Sequence, residues 1–469
     1  MSFTPEHQYR CTIIRGKSQS EMEDLLPFYA QAVHNNCPCT KSEFDIRCNK
    51  LLSKYFFGNE DYDELTEANK KTIRNHITEI MGKLLGLYYT TTDNMVFESE
   101  SCSFLLSKND FPAFFKNICL NFQFPNLADS AHTLNDKVSH GVKIRPMCYV
   151  VEFLDYARKQ EENKAITKQE IGYYILNNLD VLQGTIEVKD VYSQILADRK
   201  NKVRREKLTG SHDWQHIKEQ FNLLELANLV ETDAEFIWLN DKENAAIKLF
   251  CKRNHLGLFD IAKYDLSSRA AYKQAQADWD LYYGKLNPEI LSLNTQFSEA
   301  VQPKELKKEK GSVGLSTVEL GDKGEAFVYR MECERVKAYK ERLVNKVLLL
   351  GKTKGLGYDI SSIEANENPG KPEFARYIEV KSTTRISEPS FDAFWSDSLN
   401  LTSKEWIAAE QYGEYYNIYR VYFTKTKTIV VKINNPFKKA AENEIEVFPT
   451  IYQMDFSARV IQKQYEVNV

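Results

Sequence analysis

From the N-terminus to about residue 125, apolar positions recur at steps of three and four, the spacing of amphipathic helices. Met22 to Ala32 reads as one helix, and Ser42-Glu43 open another that carries Phe44, Ile46, Leu51 and Leu52. The clearest runs from Thr66 to Leu85. Ile73, Ile77, Ile80, Met81 and Leu84 fall on one face, Lys70, Lys71, Arg74, Asn75 and His76 on the other, and Gly86 stands where a left-handed cap is expected. Leu87-Tyr88-Tyr89-Thr90 and Met95-Val96-Phe97 then flank Asp93-Asn94, which predicts a hairpin.

The same succession returns near Arg145. Pro146 to Lys159 reads as a helix, and Thr167-Lys-Gln-Glu170 is a capping box that opens another with Ile171, Tyr174 and Ile175 inward. Asp213 starts a third, with Trp214, Ile217, Phe221 and Leu224, and Ala227 to Leu239 reads as a second hairpin. Helices followed by a hairpin make each stretch a winged-helix-like module, though no residue-level repeat joins them. Leu256 to Ala300 is helical again and reads as a connector, and the charged run Pro303 to Ser312 reads as a boundary.

Beyond that boundary helices and short strands alternate. Gly321 to Leu343 is a predicted helix and Val347-Leu-Leu-Leu350 a buried strand. Tyr358 to Ser361, Tyr377 to Ser382, Phe391 to Trp395, Ile418 to Phe423 and Thr428 to Ile433 read as further strands, and Thr402-Ser-Lys-Glu405 is a capping box opening a helix. The fold expected is multidomain: a mainly α N-terminal half with two winged-helix-like modules (1–135 and 136–255), a helical connector and linker (256–312), and an α/β C-terminal domain with a mixed central sheet (313–469).

Composition changes this picture little. With 469 residues, 42% hydrophobic and 27% charged, the chain can build sizeable cores. No apolar run approaches the ~18 residues of a membrane span, and the N-terminus has no secretory pattern, so a cytoplasmic protein is expected. The nine cysteines read as free thiols; Cys37, Cys39 and Cys48 with His34 are the one group worth weighing as a zinc site, and their spacing suits it poorly. A net charge of −4 neither favours nor disfavours nucleic acid, because binding needs only a local basic face. Two such faces stand out: Lys70, Lys71 and Arg74, and the run Arg199-Lys200-Asn-Lys202-Val-Arg204-Arg205-Glu-Lys207. Both are expected to contact DNA phosphates, against the alternative of solvated surface.

The C-terminal region narrows the chemistry. No histidine follows His255 and only one cysteine, Cys333, does. A histidine base or a Cys–His pair is therefore excluded there, leaving carboxylates, lysine, tyrosine, arginine and a bound hard metal. Glu379 and Lys381 stand two apart on a strand and so share a face, while Asp359 precedes a neighbouring strand. Two carboxylates and an ammonium brought together suit a divalent ion and a phosphate: Asp359 and Glu379 as metal ligands, Lys381 to orient or activate water, and Glu325 within reach of the same metal cluster or a second one. Glu187-Val188-Lys189 repeats the tripeptide, but a helix follows it, so it reads as a decoy; His212 and His216 lack the glutamate of a metalloprotease.

Gly-x-x-Gly-Glu325, Gly-Tyr-Asp359-Ile-x-Ser, Ile-Glu379-Val-Lys381-Ser-Thr, Leu-Thr402-x-x-Glu405-Trp406 and Tyr419-Arg420-Val together resemble the PD-(D/E)XK nuclease superfamily. Within it the likeness is to the Mrr-like branch named after the C-terminal domain of the plant protein NO VEIN, over roughly Leu320 to Val431. Tyr358 stands where the superfamily's name has proline. The resemblance implies catalysis by Glu325, Asp359, Glu379 and Lys381, with Mg²⁺ (Mn²⁺ substituting) held by Asp359, Glu379 and Glu325. It also implies 5′-phosphate and 3′-hydroxyl products, and Thr402, Glu405, Trp406, Tyr419 and Arg420 lining or supporting the site. The N-terminal half is similar in rhythm to the winged-helix recognition modules of type IIS restriction endonucleases. The expectation is a restriction or phage-defence endonuclease acting on double-stranded DNA, with a homodimer and a cognate methyltransferase as further partners. A modification-dependent or RNA-directed nuclease, and a non-catalytic DNA-binding regulator, remain as alternatives.

Overall fold

The computed structural model describes residues 8–11, 13, 18–58, 61–160, 165–203, 211–291, 293, 317–351, 355–391 and 395–447. Helix α1 (Gln19–Asn36) starts on a reciprocal capping box between Ser18 and Glu21. Strand β1 (Cys39–Thr40) follows, then α2 (Lys41–Phe57), itself opened by a Thr40–Glu43 capping box. Helix α3 (Glu67–Asn75) runs without a break into a wider, π-wound segment (His76–Leu84). The hairpin β2 (Tyr88–Thr90) and β3 (Met95–Glu98) closes the module, with sheet order β1-β3-β2.

Ile73, Ile77, Ile80, Met81 and Leu84 are all buried, as the spacing predicts. His76 is a correction. Rather than joining the basic outer face it is 3% exposed, and its Nδ1 meets the Tyr29 hydroxyl. The reason lies in the helical period itself: His76 stands three residues after Ile73 and four before Ile80, spacings that set it beside the buried face.

Helices α4 (Glu100–Lys108), α5 (Phe111–Asn121) and α6 (Ala131–Ser139) lead to the second module. Every residue of α5 is buried. The module comprises α7 (Pro146–Arg158), β4 (Ile166–Thr167), α8 (Lys168–Ile171) with a π-wound continuation (Gly172–Leu176), α9 (Leu179–Leu182), α10 (Val188–Lys200) and α11 (Ser211–Leu226). The hairpin β5 (Val230–Thr232) and β6 (Phe236–Leu239) completes it in the order β4-β6-β5, the counterpart of the first sheet. Helices α12 (Asn244–Asn254), α13 (Arg269–Tyr283) and α14 (Pro288–Leu291) follow. A single apolar core from Cys11 to Ile290 takes in both modules and Trp279 and Tyr283 of α13.

The C-terminal region is a layered α/β unit. Helix α15 (Thr317–Tyr339) precedes β7 (Leu348–Leu349), β8 (Ile360–Ile363) and β9 (Ala375–Thr384). Then come α16 (Ser403–Tyr412), β10 (Tyr416–Phe423), β11 (Thr428–Asn434) and α17 (Pro436–Ala441). The sheet runs β11-β10-β9-β8-β7 and is mixed, because only β9 and β10 are parallel. On one face Ile378, Val380, Tyr419 and Val421 pack with Val328 and Val336 of α15; on the other, Tyr416 and Ile418 pack with Ala408 and Ala409 of α16. One expectation changes and one lies partly outside the described residues. The Val347–Leu350 strand is an edge strand with Leu348 and Leu349 exposed (49% and 46%), because β7 has a sheet neighbour on one side only. The strand expected from Phe391 to Trp395 falls partly outside the described residues.

Candidate active site and nucleic-acid interface

Strand β9 is the axis of the site. Its alternation sends Val380 toward α15 and sends Glu379 and Lys381 to the opposite face, beside α16. Asp359 stands just before β8 and is tied in by its backbone: its N–H donates to Ile378 O (2.9 Å), and its carbonyl accepts from Leu350 N (2.6 Å). The Asp359 carboxylate then reaches across to β9, where Oδ2 accepts the Val380 N–H at 2.8 Å, beside Glu379.

Two glycines allow the helices to come this close. A methyl group at Gly324 would lie 1.7 Å from Ser382 Oγ, so α15 crosses β9 only because that position is glycine. Gly357 has φ +77°, and a methyl there would lie 2.5 Å from the Lys404 carbonyl of α16. Its own carbonyl accepts the Tyr416 hydroxyl at 2.8 Å, which fixes the turn leading to Asp359.

Lys381 lies between two acids, with Nζ 2.7 Å from Glu379 Oε1 and 2.7 Å from Glu405 Oε2. Glu405 is also the third residue of α16's capping box, and the same Oε2 accepts the Thr402 N–H at 3.0 Å. Burial works against the charge of Lys381, but Glu379 and Glu405 outweigh it and hold its pKa above the usual value. Glu379 is 3% exposed. Burial, with Asp359 and Glu405 nearby and only partly offset by Lys381, pushes its carboxyl up to about 9. Asp359 is also raised, chiefly by burial. At neutral pH Lys381 is therefore a cationic donor, and Asp359 and Glu379 between them retain a proton.

This carries a pH prediction for the divalent-free chain. Glu379 binds its proton more tightly folded (about 9) than at its ordinary value of 4.5, so folding loses stability as pH rises between those values. Glu379→Gln removes the titration. Its melting temperature is expected to exceed that of the wild type at pH 9 and to converge with it near pH 5, as followed by circular dichroism without divalent ions.

Glu325 comes to the same sheet from α15. A methyl at Gly351, just beyond the Leu350–Asp359 backbone bond, would lie 2.0 Å from Glu325 Oε2. That close approach at Gly351 is a feature sequence reasoning passed over. Among the described residues no three His, Cys, Asp or Glu side chains form a ready metal-ligand group. What the site offers is a pair of carboxyl groups, Asp359 and Glu379, close enough that Asp359 helps raise the Glu379 pKa. That suits Mg²⁺, which keeps several waters and takes one or two carboxylates plus substrate oxygens.

The remaining residues divide by face. Arg420 is in register with Lys381 and lies on its face; Asp397 holds its Nε (2.7 Å), while its Nη1 is buried without a hydrogen-bond partner. Tyr422 also donates to Asp397, at 2.7 Å. Tyr419 points the other way, donating to the buried Glu332 of α15 at 3.1 Å, so it supports the sheet rather than lining the site. Trp406 packs against Phe437. Glu187 stands at the start of α10 and pairs with Lys189 (2.7 Å) on the surface, far in character from the buried Glu379–Lys381 pair.

The basic candidates are scattered by environment. Lys71 and Arg74 are exposed on α3, while Lys70 lies 3.5 Å from Glu67 and over the Tyr62 ring. Lys200 and Lys202 are exposed. Arg199 is engaged within its own module: it forks onto Glu170 (2.6 Å), the acid of the Thr167 capping box. Arg204 and Arg205 lie outside the described residues.

A family model described as the N-terminal region of restriction endonuclease BpuJI matches residues 3–280. A second, described as the C-terminal region of protein NO VEIN, matches residues 324–433. Among curated proteins none matches. Among solved structures, the chain is similar to the BpuJ1 endonuclease binding domain, crystallised with pyrene- and phenanthrene-modified DNA, at 37% identity and a TM-score of 0.55. That match covers 61% of this chain and all of the other. No described helix is long and apolar enough to cross a membrane. With its first model spanning well over half of its length, the chain belongs to the family of the N-terminal region of restriction endonuclease BpuJI, and continues into a region similar to the C-terminus of NO VEIN.

Proposed function

We propose that this protein is a metal-dependent DNA endonuclease of a restriction system, with a PD-(D/E)XK site in its C-terminal region and DNA recognition in its N-terminal half. The observation that carries the reading is the group formed by buried Glu379 and half-buried Lys381 on β9 with half-buried Asp359 at the start of the neighbouring strand, and Glu405 holding Lys381. DNA recognition is supported by the family of the N-terminal half and by its relative, whose binding domain was crystallised with DNA. The two modules, each with helices and a three-stranded sheet ending in a hairpin, fit winged helices. Exposed Lys71 and Arg74 suit phosphate contacts.

Asp359 and Glu379 would hold Mg²⁺, with Glu325 nearby. When bound, the ion would neutralise the scissile phosphate and lower the pKa of an attacking water. Lys381 stays protonated between its two acids and donates to the phosphate or the water. Glu405 keeps that ammonium aimed, and its place in a helix cap makes it rigid. Asp359 is held ready by the Val380 N–H.

The test is cleavage of plasmid DNA from methylating and non-methylating hosts, with Mg²⁺ or Mn²⁺ and with chelator. Wild type is expected to cut at least one plasmid in a divalent-dependent way, and Asp359→Ala to cut neither. Failure of wild type on both, with either ion, sinks the nuclease reading; cutting that survives Asp359→Ala sinks the site.

A further inference from the structure

Strand β9 does not stop at the sheet that holds Glu379 and Lys381. Its last residues run into the N-terminal half. Thr383 Oγ1 and the Thr384 N–H both donate to the Asn109 carbonyl, at 2.8 and 3.0 Å, and Asp110 forms a parallel bridge with Thr384. Asn109 is the left-handed cap that ends α4, and Asp110 caps the start of α5, the helix buried at every residue. The catalytic strand is thus joined to the core of the recognition half.

The next residues deepen the joint. Glu23 of α1 is fully buried and receives the N–H groups of Ile386 (2.6 Å) and Ser387 (2.7 Å) together with the Ser387 hydroxyl. Arg385 is 2% exposed. Its Nη2 donates to Asp24 Oδ1 at 2.7 Å, and its Nε lies 3.7 Å from Glu23 Oε2. Its backbone N–H still donates to Phe423 O of β10 at 3.0 Å, so one residue belongs to both the sheet and the joint.

Buried charges of this kind resist separation, because parting the halves strands an arginine and two carboxylates that have given up water for each other. Domains of one chain otherwise move by default. From Lys381 to Arg385 is four residues of strand, roughly 13 Å at about 3.3 Å per residue. A displacement at the joint therefore reaches the site through a stiff element.

We propose that the Glu23–Asp24–Arg385 joint locks the recognition half and the catalytic strand into one rigid body, and so sets the distance between the bound sequence and the cut bond. This rests on the nuclease reading above. Glu23 is a positioning residue: it fixes where the end of β9 sits against the recognition half and leaves the contacts of Lys381 itself untouched.

Glu23→Gln keeps shape but places an amide donor against backbone donors; Arg385→Met removes the cation. Two readouts are compared with wild type on the full chain: small-angle scattering without divalent ions, and sequencing of the ends of Mg²⁺-digested genomic DNA. Both variants are expected to enlarge the radius of gyration and to spread the cut positions several-fold about the shared recognition motif, with total ends per unit time within a few-fold. Conservative Arg385→Lys is expected to restore the wild-type distribution in part. A purely structural role would lower the melting temperature and leave the distribution unmoved; an unchanged radius of gyration and an unchanged distribution overturn the proposal. Should Glu23→Gln fail to fold by circular dichroism, Asp24→Asn, which removes one partner of Arg385 only, is read in the same way. If wild type cuts no DNA, the nuclease reading fails, and scattering alone decides whether the joint locks the halves.

Discussion

Lys381→Ala is expected to slow Mg²⁺-dependent DNA cleavage by about a hundredfold to a thousandfold, the cost of removing one charge-stabilising donor at a reacting centre. DNA affinity, measured with chelator present, is expected to change little, because Lys381 lies on the sheet far along the chain from the recognition modules and is largely buried. The size of the effect follows from what surrounds the lysine. Two acids hold its ammonium in place at 2.7 Å each, so in wild type little reorganisation precedes the reaction. Without it Glu379, already pushed up to about 9, loses its one nearby cation. Lys381→Arg is expected to recover only part of the rate, since a planar fork does not fit a position built for a compact ammonium. Glu405→Gln leaves Lys381 chemically intact but frees it to swing, so a smaller loss in single-turnover rate is expected. A Lys381→Ala rate within tenfold of wild type would remove this lysine from the reaction.

The second large effect concerns stability. Lys116 of α5 is fully buried, and its Nζ lies 2.9 Å from Glu243 Oε1, which also accepts from Asn228 at 2.8 Å. The pair ties α5 to the segment that follows the second hairpin. Lys116→Met leaves a carboxylate buried without its cation, which costs about 3–5 kcal/mol. That is a large part of the stability of an ordinary domain, so the urea midpoint is expected to fall sharply. Lys116→Met/Glu243→Leu removes both charges and is expected to regain most of the loss, because a buried ion pair and an apolar pair of similar volume are nearly equivalent in stability. A single variant as stable as wild type would show that water reaches the pair, contrary to its burial.

Much of this chain was legible before folding. The apolar face of α3, both hairpins and the capping boxes at Thr167 and Thr402 were readable because each depends on residues within a few positions of one another, whereas Ile46, grouped with the apolar residues of α2, is exposed. The Glu379–Lys381 alternation was readable for the same reason: a strand repeats every two residues. Strands β1 and β4 were missed, since two residues are too few to show any period and each exists only by pairing with a distant hairpin. His76 was misplaced because its polar side chain was given more weight than its spacing, three after Ile73 and four before Ile80.

The sequence by itself determined which residue types could do chemistry in the C-terminal region: carboxylates, lysine, tyrosine and arginine, with no histidine beyond His255. It also determined that Glu379 and Lys381 share a face. Only the tertiary structure decided that Lys381 is a held cation rather than a free base, because Glu405, 24 positions away, is brought to it by α16. Only the tertiary structure joined Arg385 to Asp24 across 361 positions, and Glu379 to the burial that raises its pKa. The physical reason is the same in each case. Periodicity and capping are short-range and leave a pattern in the chain, whereas charge state and rigidity depend on desolvation and on partners that are brought close only by folding.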